Sequence, residues 1–208
     1  MKIGIIGSGN VGGTLGTRWA QAGHQVTFAS RKPESKEMRE LLANAGPNAR
    51  AGTVADATQE ELLLVATPWP NTEEALRSAG DLSGKILIDA TNPLLNLDAL
   101  DLGTTTSGGE KVAQWARGAR VVKAFNTVGN NIMADPAFDG RRPVLFYCGD
   151  DKAAKQTVAP LIAELGFDPI DAGPLSQART LEPFALLWIS LAFKEGLGRE
   201  FAFQLLRR

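Results

Sequence analysis

Short apolar runs alternate with amphipathic stretches along the whole chain. Ile3, Ile5 and Ile6 form a β-prone run at the start. Leu62-Leu-Leu-Val-Ala66 and Lys85-Ile-Leu-Ile-Asp89 are almost continuously apolar, as strands covered on both faces require. Val11, Leu15 and Trp19 recur at i, i+4 and i+8, one face of a helix. The pattern predicts strands near 2–7, 25–29, 50–54, 61–66, 85–90, 120–125, 143–148 and 167–171, and helices near 11–22, 34–45, 71–79, 109–117, 151–165 and 183–205. Strands alternating with helices argue a mostly parallel sheet covered on both sides. The best loop candidate is Leu95 to Gly109, which carries the small polar run Thr104-Thr-Thr-Ser-Gly-Gly109.

The first strand runs straight into Gly7-Ser8-Gly9-Asn10-Val11-Gly12, and a helix follows. This is a dinucleotide-binding fingerprint in its required strand–turn–helix context. Gly7 allows the tight turn, Gly9 lets the backbone approach a pyrophosphate, and Gly12 lets the helix pack close to the sheet. The helix N-terminus offers free N–H groups and a favourable dipole to the anion. The expected fold is α/β, a Rossmann-like doubly wound, mostly parallel sheet with a small C-terminal helical extension. Residues 1–148 would form the nucleotide-binding domain, and residues 149–208 a smaller portion packed on it.

The end of the second strand reads Ala29-Ser30-Arg31-Lys32-Pro33. An acid there would bind ribose hydroxyls and select NAD; none is present before Glu34. A hydroxyl and two cations suit a 2′-phosphate instead, through Ser30, a forked Arg31 and Lys32. Two charge-assisted bonds of roughly 1.5–3 kcal/mol each favour NADP(H) over NAD(H) by about two to three orders of magnitude.

Ligands in such sheets lie beyond the carboxyl ends of the strands. The remaining ends supply Ala66-Thr67-Pro68-Trp69, Ala90-Thr91-Asn92-Pro93 and Phe125-Asn126-Thr127. Their uncharged hydrogen-bonding groups can hold ribose and carboxamide without placing charge beside a hydride path. Asn92, Asn126 and Thr127 are the candidates for positioning a second ring. Asn92-Pro93 is also a turn signal, and Trp69 fits a core position equally well.

No catalytic acid–base residue is expected. The single histidine, His24, falls between the first helix and the second strand, at the opposite edge, and is expected to face solvent. Lys123 is either a proton donor or a structural partner of Asp89. No Cys/His spacing suggests a metal. A reaction without a protein acid suits this set: direct hydride transfer between nicotinamide and a second ring cofactor.

Composition narrows the partners. Over 208 residues, 44% are hydrophobic, 22% are charged and the net charge is −1, so no overall attraction to nucleic acid or anionic membrane is expected. Cys148, the single cysteine, excludes an intrachain disulfide and reads as a small core residue. The first strand begins directly after Met1, so no signal peptide is expected, and the longest apolar stretch, Phe184 to Phe193, is too short for a bilayer. A cytoplasmic location follows as the default. The last helix carries Leu187, Trp188, Leu191, Phe193, Phe201 and Phe203 besides Phe184, more apolar surface than one seam needs, and predicts a homodimer.

Gly7-Ser-Gly-Asn-Val-Gly12, Ser30-Arg31, Asp89-Ala-Thr-Asn-Pro93, Val122-Lys-Ala-Phe-Asn126 and Asp171-Ala-Gly-Pro-Leu-Ser-Gln-Ala-Arg179 together resemble the NADP-oxidoreductase family named for deazaflavin coenzyme F420. They also resemble the cytosolic domain of the six-transmembrane ferric reductases. The resemblance spans nearly the whole chain. It implies NADPH in the strand-end crevice, a deazaflavin or flavin against the nicotinamide, and a dimer. Archaeal F420 reductases carry a histidine where this chain has Asn126, and the ferric-reductase domains use ordinary flavin. The acceptor therefore stands open between F420 and FMN or FAD. Two other classes remain: an NADP(H)-binding sensor or partner-binding module without turnover, and an imine or hydroxyacid reductase, for which the C-terminal portion is short.

Overall fold

The computed structural model describes residues 1–97, 99–102 and 104–208. Two residues of the expected 95–109 loop, Asp98 and Gly103, lie outside the described residues. One eight-stranded sheet organises the chain, in the order β3-β2-β1-β4-β5-β6-β7-β8. The strands are β1 (Lys2–Ile6), β2 (Gln25–Ala29), β3 (Ala49–Gly52), β4 (Leu62–Val65), β5 (Ile86–Asp89), β6 (Arg120–Lys123), β7 (Val144–Gly149) and β8 (Asp168–Asp171). Neighbours from β3 to β6 pair in parallel; β7 runs antiparallel to β6, and β8 parallel to β7. The chain reverses its direction of sheet growth between β1 and β4, the switch point at which such sheets bind ligands.

The helices are α1 (Asn10–Gln21), α2 (Lys36–Ala45), α3 (Val54–Ala57), α4 (Trp69–Ser78), α5 (Gly108–Trp115), α6 (Asn130–Ala134), α7 (Lys152–Glu164) and α8 (Ala178–Phe193). Successive strand residues point to opposite faces, so β4 is divided: Leu62 and Leu64 join one apolar cluster with Leu15, Trp19, Phe28 and Ile162, while Leu63 and Val65 join another with Leu76, Val112 and Leu181. All four residues are buried, which explains the unbroken apolar run. Residues beyond 149 contribute β8 to the same sheet, and α8 lies against α5.

Four local features depart from the expected pattern. The last helix was expected over 183–205, but α8 starts at Ala178, contains Pro183, and ends at Phe193. Gly196 and Gly198, both at φ +72, turn the chain away, and residues 194–208 carry no helix. That tail folds back: Phe203 O accepts from Val144 N at 2.8 Å, and Phe201 stacks on Trp188 at 5.2 Å. Strand β6 stops at Lys123, short of the expected 125, because Phe125 takes φ +66. The short helices α3 and α6 carry no apolar period long enough to read in sequence. No helix among the described residues is long and apolar enough to cross a membrane.

Candidate functional site

The β1–α1 turn is built as its glycines demand. Gly7 sits at φ +101, where a side chain is strained. A Cβ on Gly12 would stand 1.9 Å from Gly7 O, so only glycine lets α1 start this close to the strand. Around Gly9 the opposite holds: nothing lies within 4 Å of where its Cβ would be. Among the described residues no side chain caps α1, so its first N–H groups are left without a side-chain partner. Val11 packs on the core beneath.

Ser8, Gly9, Asn10 and Ser30 are among the residues lining a cleft of about 600 Å³ between α1 and α2, whose lining extends to Gln21 and Asn44. Ser30 Oγ accepts from Lys32 N at 3.0 Å, which folds the turn after β2. Arg31 and Lys32 are exposed, and among the described residues neither forms an ion pair. The open backbone at Gly9, the uncapped helix and the uncommitted cations together fit a phosphorylated dinucleotide. The residues that could hold it are Gly7, Ser8, Gly9, Asn10, Gly12, Ser30, Arg31 and Lys32.

The β4 end is more closed. Ala66 N continues the ladder to Ile6 O at 2.9 Å. Thr67 Oγ1 lies 2.9 Å from Thr72 Oγ1, and Pro68 stands at the N-cap of α4. Trp69 packs against Trp115 at 5.2 Å and donates its indole N–H to Asp101 Oδ2 at 2.9 Å. It is half-buried and bridges α4, α5 and the 95–109 segment.

The β5 and β6 ends form a single network. Ala90 N bonds Val65 O, and Thr91 turns inward: its N–H and its hydroxyl both donate to Asp89 Oδ1, at 2.9 and 2.7 Å. The Thr91 hydroxyl is thereby committed to the protein. Asn92 Nδ2 donates to Asn126 O at 2.8 Å. Asn126 Nδ2 donates to Asn92 Oδ1 at 3.2 Å and to Leu181 O at 3.1 Å. The Asn126 amide is thus oriented by two acceptors, and its Oδ1 is buried with no partner among the described residues. An orphaned buried acceptor on this edge fits a site that expects an N–H or O–H from a ligand. Thr127 is buried beside it, at 4% exposure.

Beneath lies Lys123, fully buried, with one acceptor for each ammonium proton: Asp89 Oδ2 at 2.8 Å, Thr91 O at 2.9 Å and Glu182 Oε1 at 3.0 Å. Burial pushes the Lys123 ammonium down, and the carboxylates of Asp89 and Glu182 outweigh it, holding the group above the ordinary lysine value. Of the two readings of Lys123, the geometry supports the structural one. Glu182 escaped the sequence reading. It comes from α8, and its carboxylate also accepts Gly108 N and Gly109 N, at 2.9 and 3.0 Å, across the start of α5. A glutamate between two apolar residues and a proline gives no local signal of such a role. Cys148 is buried next to this network, and burial pushes its thiol up to about 12, so it is unreactive at neutral pH.

His24 lies far from this edge. It is not simply solvent-facing as expected: its ring is 13% exposed, bonded to Glu164 Oε2 at 2.7 Å and to the Met1 amine at 2.8 Å. The ring ties the α1–β2 turn to the end of α7.

A family model described as NADP oxidoreductase, coenzyme F420-dependent, matches residues 2–93. A solved structure from Arthrobacter sp. FB24, described provisionally as an F420-dependent NADP reductase, is 34% identical, with TM-score 0.90 over 100% of both chains. The hypothetical protein SMa0349 from Sinorhizobium meliloti is 29% identical, with TM-score 0.75 over 100% of this chain and 96% of its own. The metalloreductase STEAP3 of Rattus norvegicus is 33% identical over 187 residues, 89% of this chain and 36% of its own length. The chain thus spans just over a third of the curated relatives it matches. A reductive aminase from Aspergillus terreus, solved with NADPH, shares the fold at 21% identity and TM-score 0.67, over 94% of this chain and 62% of its own.

Proposed function

The chain belongs to the coenzyme F420-dependent NADP oxidoreductase family, and from that premise we propose that it transfers hydride between NADP(H) and a ring acceptor, deazaflavin F420 or a flavin. The observation that carries this reading is the open N-terminus of α1 next to Ser30, Arg31 and Lys32, with no acid at the end of β2. When bound, the nicotinamide cofactor supplies or takes up the hydride.

The chain's own residues then bind and orient. The Gly7–Gly12 backbone receives the pyrophosphate. Ser30, Arg31 and Lys32 take the 2′-phosphate and select NADP(H). Ala66, Thr67, Pro68 and Trp69 border the crevice on the β4 side, and Ala90, Thr91 and Asn92 on the β5 side. Asn92, Asn126 and Thr127 position the second ring. Asp89 and Lys123 at the β5–β6 edge and Glu182 of α8 are joined through Lys123 and buried, so none of the three is free to serve as a general acid. That favours hydride exchange between two rings, which needs positioning and exclusion of water, over reduction of a carbonyl.

The reading includes a homodimer through α8, which leaves Leu187 and Phe193 about half exposed, at 49% and 51%. The same committed carboxylates and lysine favour a second reading, an NADP(H)-binding sensor without turnover. Anaerobic mixing of the protein and NADPH with F420, FMN or FAD, followed by cofactor absorbance, separates the two. Rapid bleaching of F420 alone makes the acceptor a deazaflavin despite Asn126. Bleaching of FMN or FAD makes it a flavin reductase. Binding of NADPH with silence toward all three leaves the sensor.

A further inference from the structure

The Asp89–Lys123–Glu182 cluster holds more charge than its packing role requires. Lys123 would be neutralised by Asp89 alone, and a buried second carboxylate costs further desolvation. Both carboxylates are met only by donors. Asp89 receives Thr91 N, Thr91 Oγ1 and Lys123 Nζ; Glu182 receives Gly108 N, Gly109 N and Lys123 Nζ; every partner is a donor. Two carboxylates face one ammonium at 0–3% side-chain exposure. The start of α5 takes up part of the Glu182 charge through its dipole. An excess of negative charge remains, out of reach of solvent screening.

Its place in the fold gives that charge a target. Asp89 ends β5 and Lys123 ends β6. With the pyrophosphate on α1 and the 2′-phosphate on the β2 side, the nicotinamide half of the dinucleotide falls on this other side of the switch point. The nicotinamide ring is positively charged when oxidised and neutral when reduced. We propose that the buried Asp89–Lys123–Glu182 cluster is an electrostatic bias on the cofactor, favouring NADP+ over NADPH and so making the bound cofactor a stronger hydride donor. This rests on the NADP(H) reading above. Asp89, Lys123 and Glu182 act through the field and through the edge they support; they are positioning residues, not catalytic ones.

Calorimetry with NADP+ and with NADPH, without any acceptor, tests the bias as a ratio of two Kd values. Glu182→Gln and Asp89→Asn each remove one negative charge at nearly constant size, and each turns one acceptor oxygen into an NH2 that faces a donor. Each is expected to weaken NADP+ relative to NADPH by about three- to tenfold, the order for one partly compensated unit charge acting through protein rather than water. Thermal melts confirm that the two variants fold. Equal weakening of both nucleotides in folded variants overturns the bias and leaves a purely structural network, while the NADP(H) reading stands. A wild-type protein that binds neither nucleotide overturns both.

Discussion

The two halves of the strand-end crevice are built on opposite plans. The α1 half is made of backbone and exposed cations: Gly9 has open space before it, α1 is uncapped, and Arg31 and Lys32 are uncommitted. The β5–β6 half is made of buried side chains that satisfy each other, from Asp89 through Lys123 to Glu182, with Asn92 and Asn126 above them. The first half is ready to receive charge, and the second already holds its own. A site that must grip a phosphorylated cofactor firmly, yet keep a hydride path free of titrating groups, gains from that separation.

The sharpest break in the comparison is at Lys123. Lys123→Met leaves Asp89 and Glu182 buried without their counter-charge and should destabilise the protein by about 3–5 kcal/mol. Chemical denaturation checks this; an unchanged midpoint would mean that the cluster is not what holds the β5–β6 half together. The α1 half breaks differently. Gly12→Ala drives a Cβ against Gly7 O and should lose about 3 kcal/mol, the upper end of overpacking costs. Gly9→Ala meets no atom and should leave the thermal midpoint in place while weakening NADPH about tenfold, roughly 1.4 kcal/mol. Two glycines three positions apart would then separate folding from binding.

The same contrast explains what could be read from sequence. The β1–α1 fingerprint, the Ser30–Lys32 turn and the apolar runs of β4 and β5 are contiguous, so local spacing reveals them. The Lys123–Asp89 pair was legible because two adjacent strand ends each carry one charge. Glu182 was not, since it arrives from α8, 59 residues beyond Lys123, and its role depends on tertiary packing alone. The end of the last helix was misjudged for a related reason. Phe201 and Phe203 continue an apolar pattern that suits a helix, but Gly196 and Gly198 turn the chain, and those rings pack against Trp188 and Phe184 from an extended tail. Apolar pattern reports burial; it does not report which backbone delivers the ring.

An effect confined to one nucleotide is expected at the rim of the α1 half. Arg31→Ala should raise the KM for NADPH by about ten- to hundredfold, the span of one charge-assisted bond to the 2′-phosphate, and leave that for NADH nearly unchanged. Steady-state assays with both nucleotides measure it. Equal effects would mean that Arg31 contacts adenine or ribose rather than the 2′-phosphate, and Ser30 and Lys32 would have to carry the selectivity.

The mildest change falls on Asn126, where the two plans meet. Its Nδ2 is held by Asn92 Oδ1 and Leu181 O, so its Oδ1 can only accept, and among the described residues it accepts from nothing. Asn126→Ala removes that orphaned acceptor, which relieves an unmet desolvation cost, and strips a donor from two acceptors, which adds one. These offset, so the thermal midpoint should move by no more than about 1 kcal/mol. Arg31 and the α1 backbone are untouched, so NADPH should bind within about twofold of wild type, less than 0.5 kcal/mol. Turnover with the ring acceptor should fall about tenfold, because a ring held without its acceptor loses orientation rather than affinity. A drop in NADPH affinity instead would assign Asn126 Oδ1 to the nicotinamide carboxamide, and would move the boundary between the gripping and the positioning halves one strand toward β6.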